Sequence, residues 1–142
     1  IQMIDIFGFR GVLTEKIRFG MPVWGTCAGM IAIAGKLVDK RPEPLRLMDI
    51  EVRRNAFGRQ VDSFEEDIDF EGVEGSPFRA VFIRAPVVNW AGEAVRTLAT
   101  VSDGRAVAVQ QDRMLATSFH PELTNDLRIH ELFVRMTKDS TK

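Results

Sequence analysis

One cysteine, Cys27, is the whole thiol complement of this 142-residue chain, which excludes an intramolecular disulfide framework. No apolar run approaches the ~20 residues that a membrane span needs, and no secretory signal is visible, so a reducing cytoplasm is the expected compartment. Charge of one sign is missing as well: 19 Lys and Arg against 20 Asp and Glu leave a net charge of −1. Those charges are scattered, so there is no electrostatic footprint for nucleic acid or an anionic membrane, and neither is expected as a partner. Internal repeats and low-complexity tracts are absent. So is an initiating methionine: the chain opens at Ile1 inside what reads as helical periodicity (Ile1, Ile4, Phe7) with no capping residue ahead of it. A fragment whose beginning is missing is the expectation.

What is present is an ordinary globular composition, 45% hydrophobic, enough for one domain with a core. The most informative stretch runs from Pro22 to Ile31. A short apolar run, Met21 to Trp24, reads as a buried strand, and Ala28 to Val38 as an almost wholly apolar helix. Cys27 falls at the turn between them, with Gly25 and Gly29 sparing two Cβ atoms where a strand reverses into a helix. That is the pattern of a nucleophile elbow. A free thiol is mostly protonated at neutral pH and needs help to act as a nucleophile. The helix N-terminus would favour the thiolate, and the Ala28 N–H could donate to an oxyanion forming on an attacked carbonyl. The alternative is that Cys27 is a small buried hydrophobe.

Ahead of the elbow, Ile1–Phe9 reads as a helix interrupted by Gly8 and Gly11, and Val12–Phe19 as a second one ending at Gly20. Behind it come a polar loop from Asp39 to Pro44, a strand from Leu47 to Arg53, and an arginine-rich loop from Arg53 to Gln60. Val61–Glu65 reads as extended, beside a solvated acidic patch of Glu65, Glu66, Asp67 and Asp69. Further strands are predicted at Phe78–Ala85, Val95–Val101, Arg105–Gln110 and Met114–Phe119, with a hairpin turn at Ser102-Asp103-Gly104. A final helix is capped by Thr124, Asn125 or Asp126. The first half predicts an α/β fold with an open, mostly parallel sheet and flanking helices, and the second half adds antiparallel strands.

His120-Pro121-Glu122 follows the last predicted strand. In extended geometry residues i and i+2 point to the same side, so Glu122 can hold one imidazole nitrogen of His120 while the other faces outward. His120 could then take the thiol proton from Cys27 and return it to a leaving amine, with Glu122 orienting the ring. His130, on the final helix, reads as structural. Spacing alone does not place the two strand ends side by side.

Gly25-Thr26-Cys27-Ala28-Gly29-Met30, the run from Arg54 to Glu65, Phe82-Ile83-Arg84-Ala85-Pro86 and Ser118-Phe119-His120-Pro121-Glu122-Leu123-Thr124 together resemble the glutaminase-subunit family of pyridoxal 5′-phosphate synthase, a branch of the class I glutamine amidotransferases. The elbow and His-Pro-Glu mark the broader class, and the arginine-rich run narrows it. The resemblance covers essentially the whole chain as a single glutaminase domain, residues 1–142, of flavodoxin-like type. It implies hydrolysis of the L-glutamine side-chain amide through a thioester on Cys27, with His120 and Glu122 completing the relay. It also implies glutamine contacts at Arg54, Ile83 and Arg84. The guanidinium fork suits a carboxylate. No metal or cofactor is implied. Ammonia would pass to a separate synthase subunit, in a large hetero-oligomer, for vitamin B6 biosynthesis. The family's N-terminal strand-helix unit and its Gly-Gly-Glu-Ser turn, which binds glutamine and supplies a second oxyanion N–H, do not occur in residues 1–142.

Three other readings compete. One is a truncated, non-catalytic binding subunit of the same complex. Another is the glutaminase subunit of a different amidotransferase, serving histidine or purine synthesis, against which the arginine-rich run speaks. A redox sensor or general cysteine hydrolase would leave the His-Pro-Glu at a strand end unexplained.

Overall fold

The computed structural model describes residues 9–39, 43–54 and 63–139. The expectations for the first helix over residues 1–8, the middle of the polar loop at 40–42, and the run 55–62 lie outside the described residues. Helix α1 (Phe9–Arg18) runs through Gly11 without a break, correcting the expected interruption. A glycine there lowers helix propensity but leaves every backbone hydrogen bond possible. The predicted stop at Gly20 is found: Gly20 N–H donates to Ile17 and Met21 N–H to Lys16, both at 3.0 Å, with Gly20 at φ 106°. Those two bonds are a Schellman closure, which a residue without Cβ makes at no steric cost.

Strand β1 (Val23–Thr26) leads through Cys27 into helix α2 (Ala28–Ile33). The helix is shorter than the predicted Ala28–Val38, because Ala34–Leu37 forms strand β2 and pairs in parallel with β3 (Met48–Arg53). An apolar run satisfies a buried strand as well as a buried helix, and Gly35 tips the balance. A Cβ on Gly35 would lie 2.8 Å from the Met48 carbonyl oxygen, so the close approach to β3 needs glycine.

Strands β4 (Ser63–Ile68) and β5 (Phe78–Ile83) form an antiparallel two-stranded sheet. The remaining strands, β6 (Val87–Ala91), β7 (Arg96–Thr100), β8 (Ala106–Gln111) and β9 (Met114–Thr117), join β1, β2 and β3 in a seven-stranded sheet. Its order is β1-β9-β8-β6-β3-β2, with β7 also on β8. Strand β6 was not anticipated. Parallel pairing is found in the two outermost ladders, β1/β9 and β2/β3, and the ladders between them and β7/β8 are antiparallel. The α/β class and the antiparallel second half agree with the sequence reading. Glu65, Asp67 and Asp69 of the acidic patch are exposed as expected and Glu66 is half-buried; Glu65 and Asp67 flank Arg79, and Glu66 accepts from the Ser102 N–H.

Successive residues of β9 serve opposite faces, as strand geometry requires. Leu115 joins Phe78, Phe82, Phe119 and Ile129 on the face covered by the terminal helix α3 (Arg128–Asp139). Ala116 joins Met30, Ile33, Ile50 and Val109 on the face covered by α1 and α2. Among the described residues no helix is long and apolar enough to cross a membrane.

Candidate active site

The turn at Cys27 is strained in the manner an elbow requires. Its φ of 52° and ψ of −104° put a β-carbon-bearing residue in sterically poor space, at a cost on the order of 1–3 kcal/mol. Two bonds hold it. The Cys27 N–H donates to the Thr117 carbonyl at 2.8 Å, continuing the β1/β9 ladder, and the Cys27 carbonyl accepts from the Met30 N–H at 3.0 Å to start α2. Of the two flanking glycines only Gly25 is sterically required. A Cβ there would sit 2.5 Å from the Gly29 carbonyl oxygen and 2.9 Å from the Met30 nitrogen, whereas a Cβ on Gly29 would meet nothing within 4 Å.

His120 leaves the end of β9, but not in the extended form predicted for the His-Pro-Glu step. Pro121–Leu123 is a 3-10 turn, with Leu123 N–H donating to the His120 carbonyl at 3.1 Å. Proline's fixed φ suits the first position of such a turn. The side-chain pair forms regardless: His120 Nδ1 lies 2.6 Å from Glu122 Oε1. An ionised carboxylate only accepts, so Nδ1 carries the proton and Nε2 is left as the basic nitrogen. The His120 ring is 25% exposed and the Glu122 side chain 51%.

Strand β5 brings these two pieces together. The Val81 carbonyl accepts the His120 N–H at 2.9 Å, and the Ile83 carbonyl faces the Cys27 thiol at 3.7 Å. Carbonyls two apart on a strand point to the same edge, ~6.6 Å from each other. The Cys27 thiol and the backbone of His120 therefore hang from neighbouring positions on one edge of β5. Burial pushes the Cys27 thiol up from its ordinary value, the Ala28 N–H pulls it down, and the negative charge of Glu122 pushes it up again. Expectation and outcome differ here: the helix N-terminus does favour the thiolate, but burial outweighs it.

The other predicted site residues divide. The Ala28 N–H lies where it favours the thiolate of Cys27, although the Cys27 side chain makes no capping hydrogen bond to the helix. Ile83 reaches the thiol through its carbonyl, and its side chain is exposed. Arg84 follows at φ 45°, an unusual backbone for a long side chain, and is exposed. Arg54 is also exposed, in the turn after β3. It lies at the same sheet edge as the thiol, since the registers line up Cys27, Ser118, Val107, Val87 and Arg53 across one row. His130 packs its ring against Trp24 at 5.0 Å, in keeping with its structural reading. Among the described residues no group of three or more His, Cys, Asp or Glu is placed to hold a metal ion.

Two contributors went unrecognised in the sequence. Val81 acts through its backbone, which leaves no side-chain signature. Thr117 did leave one, a hydroxyl within an otherwise apolar buried strand.

Comparison with known proteins places this geometry in context. The model of the SNO glutamine amidotransferase family matches residues 1–139. A pyridoxal 5′-phosphate synthase subunit PdxT from Nocardia farcinica is 52% identical over 143 residues, covering 96% of this chain and 63% of its own length. The subunit of the same name from Herpetosiphon aurantiacus is 58% identical over 136 residues, covering 94% of this chain and 72% of its own length. The chain thus spans under two thirds of the first relative and under three quarters of the second. A crystal structure of a glutamine amidotransferase superposes with a TM-score of 0.89 at 41% identity, over 96% of this chain and 72% of that one.

Proposed function

The chain belongs to the SNO glutamine amidotransferase family, and from that premise we propose that it hydrolyses the side-chain amide of L-glutamine and supplies the ammonia to a pyridoxal 5′-phosphate synthase subunit. Cys27 is the nucleophile. His120 Nε2 takes the thiol proton as sulfur attacks the amide carbon, and the Ala28 N–H donates to the resulting oxyanion. As the C–N bond breaks, His120 returns the proton to the departing nitrogen, which leaves as ammonia, with a thioester on Cys27. Water, deprotonated by the same imidazole, then attacks the thioester and releases glutamate and the thiol. Glu122 holds the ring through Nδ1 in both halves. The side chains of Arg54 and Arg84 and the Ile83 position bind the amino-acid end of glutamine.

The observation that supports this reading is that the Cys27 thiol and the His120 backbone N–H face carbonyls two apart on one edge of β5, while Glu122, bonded to the His120 ring, lies close enough to raise the thiol pKa. Each supplies one function of the nucleophile–base–orienter relay. The relatives' names support the partner, and the reading includes a hetero-oligomeric assembly with the synthase in the cytoplasm. No resident metal or cofactor is called for by the chemistry.

The test is ammonia release from glutamine by the full-length protein mixed with its synthase partner. Wild type releases ammonia and Cys27→Ala does not; release that survives Cys27→Ala overturns the assignment. A glutamine-like diazoketone separates the catalytic subunit from a binding-only one, because it labels Cys27 only where the site assembles.

A further inference from the structure

We propose that Thr117 is the positioning residue of this site, its buried hydroxyl locking the strand end that delivers both Cys27 and His120. The inference rests on the glutaminase reading and goes beyond it.

Thr117 is completely buried, in a strand whose other members, Met114, Leu115 and Ala116, are apolar. For packing alone valine would serve better there, since a buried hydroxyl must find partners or pay the cost of desolvation. The partners it finds are informative. Its Oγ1 accepts the indole N–H of Trp24 at 3.1 Å, and its own proton faces the Phe119 carbonyl at 3.5 Å. Its backbone carbonyl is the one that accepts the Cys27 N–H at 2.8 Å. One residue therefore contacts the strand that ends in the nucleophile, the amide of the nucleophile itself, and the peptide just before the base.

Trp24 is held in turn. Its ring lies edge-on to His130 at 5.0 Å and against Phe133 at 5.6 Å, both on α3. The indole cannot swing away from Thr117 without unpacking the terminal helix. The chain of contacts α3, Trp24, Thr117 and Phe119 sets the rotation of the peptide from which His120 emerges. The Thr117 carbonyl meanwhile fixes the strained backbone of Cys27. Removing the hydroxyl leaves both strand ends in place but releases their relative rotation, which proton transfer between thiol and imidazole depends on.

The experiment uses the full-length protein with its synthase partner and compares Thr117→Val, Thr117→Ser and Trp24→Phe with wild type and Cys27→Ala. Turnover is divided by the number of sites that a glutamine-like diazoketone labels, which removes any loss of folded enzyme. Thr117→Val is expected to lower kcat per labelled site by about ten- to hundredfold, the scale of a small misplacement of reacting groups. Its KM for glutamine should stay within about twofold of wild type, because ground-state contacts are untouched. Thr117→Ser, which keeps the hydroxyl, restores most of the turnover. Trp24→Phe, which keeps the aromatic packing and drops only the N–H, falls in the same direction by less. Wild-type turnover per labelled site in Thr117→Val overturns the inference, whatever happens to its melting temperature. Should that variant fail to fold, unchanged turnover in Trp24→Phe overturns it instead. Absence of Cys27-dependent ammonia release from wild type is a different failure, which removes the glutaminase reading and this inference together.

Discussion

Replacing Glu122 by glutamine should move two properties of the site in opposite directions. The carboxylate accepts from His120 Nδ1 at 2.6 Å, a charge-assisted bond, and its charge also raises the Cys27 thiol. Such bonds contribute about 1.5–3 kcal/mol. With the Glu122 side chain 51% exposed, solvent screening brings this to about 1–2 kcal/mol. The amide keeps the shape and an acceptor oxygen but loses the charge that steadies the imidazolium formed during attack. At 1.36 kcal/mol per decade, kcat should fall about 5- to 30-fold. The thiol responds otherwise. Loss of the negative charge lowers its pKa, so a larger fraction is thiolate at neutral pH, and alkylation of Cys27 by iodoacetamide in the protein without glutamine should become faster. Ammonia release with the synthase partner measures the first effect and mass-detected alkylation the second. A kcat within twofold of wild type would show that the ring is oriented by something else. Slower alkylation would show that the carboxylate does not face the sulfur.

The elbow makes a second contrast available. Gly25→Ala pushes a methyl to 2.5 Å from the Gly29 carbonyl, backbone that cannot yield, and should cost about 1–3 kcal/mol in denaturant unfolding along with the diazoketone labelling of Cys27. Gly29→Ala enters open space in a helix and should be neutral or gain about 0.5–1 kcal/mol by the same measurement. At the start of α3 the Arg128 guanidinium binds Asp126 and the carbonyls of Glu74 and Ser76, and its hydrogen bonds hold the Asp126 carboxyl below its ordinary value of 3.8. A carboxyl depressed in the folded state adds stability above its unfolded pKa, and that stability drains away as pH falls through the folded value. Urea unfolding should therefore show a gap between wild type and Asp126→Asn that is full at pH 7 and closes below about pH 4; a gap independent of pH would refute the pairing.

The parts of the site that were legible in the sequence are those where one local rule decides. A glycine jammed against the following helix, a lone cysteine and a proline-set His-Pro-Glu each announce a backbone requirement. The strands Met48–Arg53 and Phe78–Ile83 announce themselves by β-branched and aromatic content, and Met114–Thr117 by its short apolar run. Gly11 misled because glycine disfavours a helix without forbidding it. Ala34–Leu37 misled because a buried apolar run has no period of its own, and the clue, Gly35, points to a neighbour 13 positions away in sequence. Val87–Ala91 escaped notice because Pro86 reads as a terminator, although Val87, Val88 and Trp90 carried the strand signal. The pairing of β1 with β9, 91 positions apart from Val23 to Met114, obeys no local rule. Neither does the use of β5, from a separate two-stranded sheet, as the rail from which the Cys27 thiol and the His120 backbone hang.

That rail alters how activation of the nucleophile must work. Had the helix N-terminus prevailed, Cys27 would stand as a thiolate reservoir, reactive toward any electrophile small enough to enter. With burial prevailing, the resting sulfur, which faces the Ile83 carbonyl at 3.7 Å, is biased toward the thiol, and in the proposed mechanism turnover depends on handing that proton to His120 at the moment of attack. The barrier is then sensitive to alignment more than to the standing thiolate fraction. This is why the burden falls on groups that hold the two strand ends in register: the Thr117 and Val81 carbonyls, and the Trp24 indole behind them. An enzyme built this way has a thiol that is quiet without substrate and quick only when the imidazole is in place.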